Sequence, residues 1–289
     1  MACARASIAR GRPVKAVCDA LGVARSHLMN LLKRPRDWAD RRYGSRCLDS
    51  DAMLVTEIRE VVRDKPSYGY PRTTALFRRK QSTEGRALVN HKRIHRVMRE
   101  NGLLLGQRLT AAYPPRIHAG RVAVDESNLR WCSDGFEISC HNRDKVRVAF
   151  ALDCCDREAI SWVETTKGID LEMIRDLMLQ ALEDRFGSVE ASPHQIEWLT
   201  DNGSCYTARQ TRTFAMDIGL KPLTTAISSP QSNGMAESFV KTFKRDYVYV
   251  NDRSDAETVL KQLTGWFEDY NGYHLLSVRQ GWQHLTFRD

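Results

Sequence analysis

The chain has 289 residues, of which 42% are apolar, and this is enough for two or three domains with buried cores. No apolar run is long enough to cross a bilayer, and the eight cysteines form no CxxC pair, so we expect a cytoplasmic protein with reduced thiols. The net charge of +8 is uneven, because the first 120 residues hold 25 Lys and Arg against 10 Asp and Glu, whereas the other 169 hold 19 against 26. This asymmetry predicts that the front of the chain contacts phosphates.

Residues 14–33 have the pattern of a helix-turn-helix, with Gly22 at the turn. The apolar residues expected to clamp the two helices together are Val17, Leu21, Val23, Leu28 and Leu31. The residues expected to face outward from the second helix, within reach of base edges or phosphates, are Arg25, Ser26, His27, Asn30 and Lys33. The alternative is a helical hairpin used only for packing or dimerisation.

The next segment is also helical and basic. Residues 35–50 are polar and indicate a linker, and helices are expected over 54–62, from the turn at 67–72 through 77, and over 90–101. We therefore expect a helix-turn-helix DNA-binding domain with its linker over residues 1–50, and a second helical DNA-binding module with a hinge over 51–120. A third domain is expected over residues 121–289.

The third domain alternates between strand and helix patterns. Strands are expected over residues 131–138, 145–153, 159–165, 195–200 and 221–225. Helices are expected over 171–186, over 207–218, after Gly234 and over 255–270. This order predicts an α/β fold, a mixed five-stranded sheet with flanking helices, preceded by all-α helix-turn-helix modules.

Three acids stand at key points of this pattern. Asp134 lies in the middle of the first strand, Asp201 at the carboxyl end of the fourth, and Glu237 in the first turns of a helix. Carboxylates brought together in this way repel one another unless a cation lies between them, which favours a divalent metal site. Glu137, Asp144 and Asp153 are competing candidates near the same strands, although Glu137 is expected on the opposite strand face and Asp153 has a structural interpretation.

These residues resemble a known family. Thirty-five residues separate Asp201 from Glu237, Lys244 follows Glu237 by seven positions, and the acids lie in the contexts WCSDGFEI, WLTDNGS and SPQSNGMAES. The chain thereby resembles the bacterial insertion-sequence transposases (OrfB type) that carry a retroviral-integrase-like DDE catalytic core.

The resemblance implies a ribonuclease-H-like core in which Asp134, Asp201 and Glu237 are catalytic acids that hold two Mg²⁺ ions, with Mn²⁺ as a substitute. It implies cleavage and strand transfer of double-stranded DNA at insertion-sequence ends and at target DNA, by a bacterial, DNA-associated protein that is a homo-oligomer on DNA. A partner encoded by an upstream reading frame is also implied. The resemblance also marks Lys244 for contact with DNA. Further candidates from their places in the sequence are Lys241 for DNA, and Asn202, Asn233 and Gly234 for shaping the loop over the site.

Two other functions stay open on the sequence. Residues 275–282 depart from the family pattern, so a truncated, catalytically silent DNA-binding relic is one alternative. A hydrolase of RNA–DNA hybrids is the other, but it would not need the basic helical front.

Overall fold

The computed structural model describes residues 2–34, 51–106, 123–187, 190–224, 234–273, 275–278 and 281–284. The chain divides into two compact units, residues 1–48 and residues 49–289. The predicted linker over 35–50 and most of the predicted hinge lie outside the described residues. The boundaries predicted for three domains stay a prediction.

The first unit is a small bundle of three helices, α1 (Ala2–Ala9), α2 (Val14–Leu21) and α3 (Arg25–Leu32). Gly22 ends α2 in the left-handed region, with φ of 63°, as the predicted turn requires. The predicted clamp is only partly right, because Leu21 is 48% exposed. Helix α1, which the sequence pattern did not predict, fills the core in its place with Ala4 and Ile8, beside Val17, Cys18 and Leu28.

The second unit begins with three more helices, which we call the helical module. They are α4 (Ala52–Asp64), α5 (Tyr70–Thr83) and α6 (His91–Glu100). Pro71 suits the first turn of α5 because proline lacks the amide hydrogen that this turn leaves unpaired. Asn90 caps α6 by accepting a hydrogen bond from the backbone of Lys92 at 2.9 Å. The core of the module contains Leu54, Ile58, Phe77, Ile94, Val97 and Met98.

The predicted five-stranded sheet is confirmed. Its strands are β1 (Arg130–Ser139), β2 (Lys145–Asp153), β3 (Ala159–Thr165), β4 (Ile196–Thr200) and β5 (Leu220–Thr224), in the order β3-β2-β1-β4-β5. The first three pair antiparallel, whereas β1 with β4 and β4 with β5 pair parallel. Strand β1 is therefore the central strand of the sheet.

Helices cover both faces of the sheet. Helices α7 (Leu171–Phe186), α8 (Ser204–Thr207) and α9 (Arg209–Asp217) lie on the face that carries Trp131 and Trp198. The other face packs against α10 (Gly234–Phe243), a π-helical turn (Lys244–Val248) and α11 (Ala256–Tyr273). Alternation along the strands separates the two sets, since successive side chains point to opposite faces.

Two details differ from the predicted elements. The helix expected over 207–218 is interrupted at Ala208, whose ψ of 135° is extended, so α8 and α9 are separate. The helix that carries Glu237 changes from α-helical to π-helical after Phe243, which the sequence pattern did not predict. A short hairpin follows α11, formed by β6 (Leu275–Val278) and β7 (Gly281–His284). No helix in the described part of the chain is long and apolar enough to span a membrane.

Candidate active site

The sheet register brings Asp134 and Asp201 side by side. In the parallel pair β1–β4, Cys132 lies opposite Leu199, so the same register carried two residues further places Asp134 opposite Asp201. Neighbouring strands are about 5 Å apart, and both acids share the sheet face of Cys132 and Leu199. Two carboxylates are thus held at one edge of the sheet by the backbone.

Asp134 is the more enclosed of the two acids. Its Oδ1 accepts a hydrogen bond from the Gly135 backbone N–H at 2.7 Å. Burial is the main cause that raises the pKa of Asp134 to about 6; the negative charges of Asp201 and Glu237 raise it further, against the opposing Gly135 hydrogen bond. Asp134 therefore lies within electrostatic range of both other acids.

Asp201 is exposed at the end of β4 and its conformation is fixed by the next turn. Its Oδ1 accepts a hydrogen bond from the Gly203 backbone N–H at 2.9 Å. A second contact joins the segment after β4 to strand β1. The Tyr206 hydroxyl of α8 lies 2.9 Å from the hydroxyl of Ser133, the neighbour of Asp134. Together these contacts hold the loop after β4 against the middle of β1.

Glu237 lies apart from this pair. It is in the first turn of α10, its side chain is 44% exposed, and Lys241 one turn later lies 3.5 Å from its carboxylate. Helix α10 is anchored below it by Ala236, Phe239 and Phe243. Among the described residues, no three acidic, His or Cys side chains are close enough together to hold one metal ion. The Asp134–Asp201 pair is thus formed in advance, and Glu237 would have to be drawn in.

A cavity of about 340 Å³ opens at this sheet edge, and both Asp134 and Asp201 line it. The competing acid Glu137 also lines it but is already neutralised, since Lys145 lies 2.9 Å and Arg147 3.1 Å from its carboxylate. Asp134 and Asp201 form no ion pair with any Lys or Arg of the described ranges. The cavity therefore holds uncompensated negative charge, which a divalent cation would neutralise.

The other predicted site residues lie as follows. Those of α3 and its end, Arg25, Ser26, His27, Asn30 and Lys33, are all exposed, as predicted. Asn202 is exposed beside Asp201, Gly234 is the first residue of α10, and Asn233 lies outside the described residues. Lys241 is exposed, and Lys244 is half-buried with its Nζ 5.7 Å from the ring centre of Phe136, a residue of the cavity lining. Their contacts with DNA stay a prediction.

Sequence reasoning missed Ser133, Gly203 and Tyr206. The run DNGSCY did show a turn after Asp201, but nothing in it indicated that the Tyr206 hydroxyl would reach Ser133, 73 positions earlier.

Family models match nearly the whole chain. "IS2 transposase InsD, N-terminal domain" matches residues 1–37, and "HTH-like domain" matches 49–109. "Integrase core domain" matches 124–230, and a second model of that description matches 218–275. Together with the observed sheet order and paired acids, these matches define the class: a DDE polynucleotidyl transferase with an integrase core.

Curated relatives define the family more narrowly. The chain is 50% identical over 272 residues to the Escherichia coli transposase InsD for insertion element IS2A/D/F/H/I/K, covering 94% of this chain and 89% of that one. It is equally similar to the transposase InsD for insertion element IS2-9 of Escherichia coli strain K12. The chain belongs to the IS2 transposase family.

Solved structures are more distantly similar to this chain. A chain of the simian T-cell lymphotropic virus intasome is 16% identical with a TM-score of 0.44, covering 73% of this chain and 72% of that one. The Mos1 transposase catalytic domain is 18% identical with a TM-score of 0.39, covering 48% and 71%.

Gly203→Ala is expected to lower metal-dependent DNA cleavage about tenfold with little change in stability. Gly203 has φ of −58°, which alanine tolerates, but an added Cβ would lie 3.0 Å from Asp201 Oδ1 and push the carboxylate aside. Cleavage rates and thermal melting of the variant test this. Gly168→Ala is the control, because an added Cβ meets nothing within 4 Å there. Equal rates for the two variants would contradict the expectation.

Proposed function

We propose that Asp134, Asp201 and Glu237 are the catalytic acids with which this transposase cuts DNA at insertion-sequence ends and joins those ends to target DNA. The observation that supports this most is the β1–β4 register, which sets Asp134 beside Asp201 at the carboxyl edge of parallel strands. Ligand and catalytic sites of open α/β sheets lie at such edges.

The residues suit a pair of Mg²⁺ ions, for which Mn²⁺ would substitute. The donors are carboxylate oxygens, which hard cations prefer, and two of them share a cavity with uncompensated charge. Asp134, Asp201 and Glu237 are the residues that would hold the ions. Bound there, the ions would supply Lewis-acid activation of a water or a 3′-hydroxyl and would stabilise the leaving oxygen.

The chain's own residues then orient the DNA. In the first reaction water attacks the phosphodiester, the bond to the 3′-oxygen breaks, and a 3′-hydroxyl and a 5′-phosphate result. In the second reaction that 3′-hydroxyl attacks a target phosphodiester and displaces another 3′-oxygen. Lys244, which approaches the ring of Phe136 in the cavity lining, would hold the terminal phosphate. Lys241 would give up Glu237 when that acid turns inward and would then be available for DNA. Asn202, Asn233 and Gly234 would shape the loops on either side.

Recognition of the DNA ends belongs to the front of the chain. The exposed face of α3 carries Arg25, Ser26, His27, Asn30 and Lys33, a mixture of cationic and hydrogen-bonding groups that fits a DNA groove. Joining two ends requires more than one active site, so we expect a homo-oligomer on DNA, with a partner from an upstream reading frame as a further possibility to test. An enzyme that acts on bacterial DNA works in the cytoplasm, and we place it there.

The alternatives are weaker. A silent relic is not favoured, because the matched integrase core contains Asp134, Asp201 and Glu237 and the sheet that holds the first two is formed. A hydrolase of RNA–DNA hybrids does not explain the helix-turn-helix or the membership of the IS2 family.

The test is cleavage of labelled duplexes that carry candidate insertion-sequence ends, with Mg²⁺, Mn²⁺ or EDTA. The wild-type protein should produce metal-dependent nicks and joined products, and Asp201→Asn should reduce both at least a thousandfold while its affinity for DNA is unchanged. Mg²⁺ should raise the melting temperature of the wild type but not of Asp201→Asn, since metal that binds only the folded state stabilises it. Asp217→Asn, an exposed acid at the end of α9, is the matched control. Cleavage by Asp201→Asn at the wild-type rate would overturn the assignment.

A further inference from the structure

The π-helical turn Lys244–Val248 joins the helix of Glu237 to the rest of the molecule. It follows α10 without a break, and its residues Asp246, Tyr247 and Val248 are buried. A π-helical turn has backbone hydrogen bonds that span five residues where those of an α-helix span four; it is rare, and it is frequent at functional sites. Here it turns a carboxylate and a phenol toward the helical module.

Asp246 is the first of these contacts. Its side chain is 1% exposed, and its Oδ2 accepts a hydrogen bond from Arg72 Nη2 of helix α5 at 2.7 Å. The Arg72 guanidinium lies 3.7 Å from the ring centre of Tyr68, which is itself buried, so the cation is held from both sides. Arg245, the neighbour of Asp246 in the turn, donates two further hydrogen bonds to the same carboxylate.

Tyr247 is the second contact. Its hydroxyl donates to Asp269 Oδ2 of helix α11 at 2.7 Å, and the same oxygen pairs with Lys65 at the end of α4. Lys65 Nζ also lies 5.4 Å from the ring centre of Tyr247. The helical module therefore meets two adjacent residues of the turn, Asp246 through an ion pair with Arg72 and Tyr247 through the Lys65 cation over its ring.

Helix α10 and the π-helical turn connect Asp246 to Glu237 at the active site. Asp246 follows Glu237 by nine positions on one continuous helical rod, formed by α10 and the π-helical turn. The buried Asp246 side chain contacts the helical module, whereas the Glu237 side chain is 44% exposed beside Lys241. Phe239 and Phe243, with ring centres 5.3 Å apart, pack the middle of the rod against the sheet. Because the rod is packed along its length, a shift at Asp246 displaces Glu237.

We infer that Arg72 and Asp246 are positioning residues that link DNA binding by the helical module to the placement of Glu237 at the active site. The inference rests on the proposed role of Glu237 as the third acid. A free protein holds Glu237 beside Lys241, outside the Asp134–Asp201 pair. DNA bound to the helical module would move α5. Through the buried Arg72–Asp246 pair it would also move the rod that carries Glu237. Cleavage would then proceed only on DNA that the module has engaged.

Hydrogen exchange of the full-length protein tests the link directly. Peptides covering residues 235–248 are followed with and without duplex DNA, for the wild type, Arg72→Met, Asp246→Asn and the double variant. In the wild type, DNA should slow exchange in these peptides several-fold. In all three variants this slowing should be lost to the same extent, since either single change breaks the same pair.

Kinetics separates positioning from stability. The variants should bind DNA within about threefold of the wild type, but their cleavage rate at saturating DNA should fall at least tenfold, so the loss appears in kcat and not in KM. Arg72→Lys, which keeps a buried positive charge, should recover part of the rate and part of the DNA-linked protection. Glu57→Gln is the control, because it breaks an ion pair inside the module, with Arg86 at 2.8 Å, that does not reach the turn.

The outcomes are distinct. Wild-type protection by DNA and a wild-type rate in a folded double variant would overturn the link. If Arg72→Met and the double variant fail to fold, Arg72→Lys and Asp246→Asn decide the question. DNA-linked protection equal to that of the wild type in both of these variants would also overturn the link. A wild-type protein that shows the DNA-linked protection but never cleaves would instead refute the proposed function and leave the link standing.

Discussion

Asp134→Asn is expected to make the metal-free protein more stable while it abolishes cleavage. Burial, followed by the charges of Asp201 and Glu237, raises the pKa of Asp134 to about 6 from its ordinary value of 3.8. A shift of this size corresponds to about 3 kcal/mol at most that folding loses by keeping the group ionised. The amide has the same shape, and its Oδ1 still accepts the hydrogen bond from Gly135.

The pH dependence follows from the direction of the shift. A carboxyl whose pKa is raised by folding favours the folded state when protonated, so this contribution is lost as the pH rises through about 4 to 6. Asp134→Asn should therefore equal the wild type at pH 4 and exceed it by up to about 3 kcal/mol at pH 8 in EDTA, as measured by thermal unfolding. Asp217→Asn, on the exposed end of α9, should show no such pH-dependent gain. A variant that is less stable than the wild type at pH 8, or that still cleaves DNA, would contradict this expectation.

Phe243→Ala is expected to destabilise the protein by about 3–5 kcal/mol, because it removes a fully buried ring from the core behind the active-site helix. The Phe243 ring centre lies 4.5 Å from that of Phe267, 5.1 Å from that of Tyr247 and 5.6 Å from that of Phe136. These three neighbours belong to α11, the π-helical turn and β1, so the cavity left by the ring would loosen all three.

Urea unfolding measures this loss of stability. The cleavage rate should also fall, even where the protein remains folded, because the rod that carries Glu237 loses its central contact. Phe243→Leu should cost less, about 1–2 kcal/mol, because it fills most of the volume. Tyr249→Ala, one residue beyond the turn and 63% exposed, should change stability by no more than about 0.5 kcal/mol. A similar loss in Tyr249→Ala and Phe243→Ala would argue against the aromatic core as the cause.

The sheet could be predicted because its strands have simple patterns. Strands β2 and β3 and helix α7 have the predicted bounds, since apolar alternation and a long apolar stripe are strong local signals. Helix α1 was missed because ACARASIA has no clear apolar face. Helix α5 runs on to Thr83, beyond the predicted end at residue 77, because no glycine or proline stops it earlier.

Only part of the candidate site could be predicted from the sequence. The alternation of side chains along β1 and β4 predicts which sheet face carries Asp134 and Asp201, and the family resemblance supplies the roles of these two acids. Neither contains information on contacts between distant parts of the chain, such as Arg72 with Asp246, 174 positions apart. The π-helical turn is equally hidden, because it depends on which residues of the turn find buried partners and not on a local pattern.

The division between Leu48 and Asp49 bears on how such transposases diversify. Two ion pairs join the helical module to the helices that cover the sheet, the buried pair of Arg72 with Asp246 and the half-buried pair of Lys65 with Asp269, so we expect these parts to be inherited as one block. A foreign module would leave Asp246 without Arg72 and Asp269 without Lys65. We therefore expect recombination between relatives to be tolerated at the junction near residue 48 and penalised between the helical module and the sheet. Exchange of the first 48 residues would then replace the predicted helix-turn-helix, and with it the expected preference for insertion-sequence ends, while the machinery that cuts and joins is passed on unchanged.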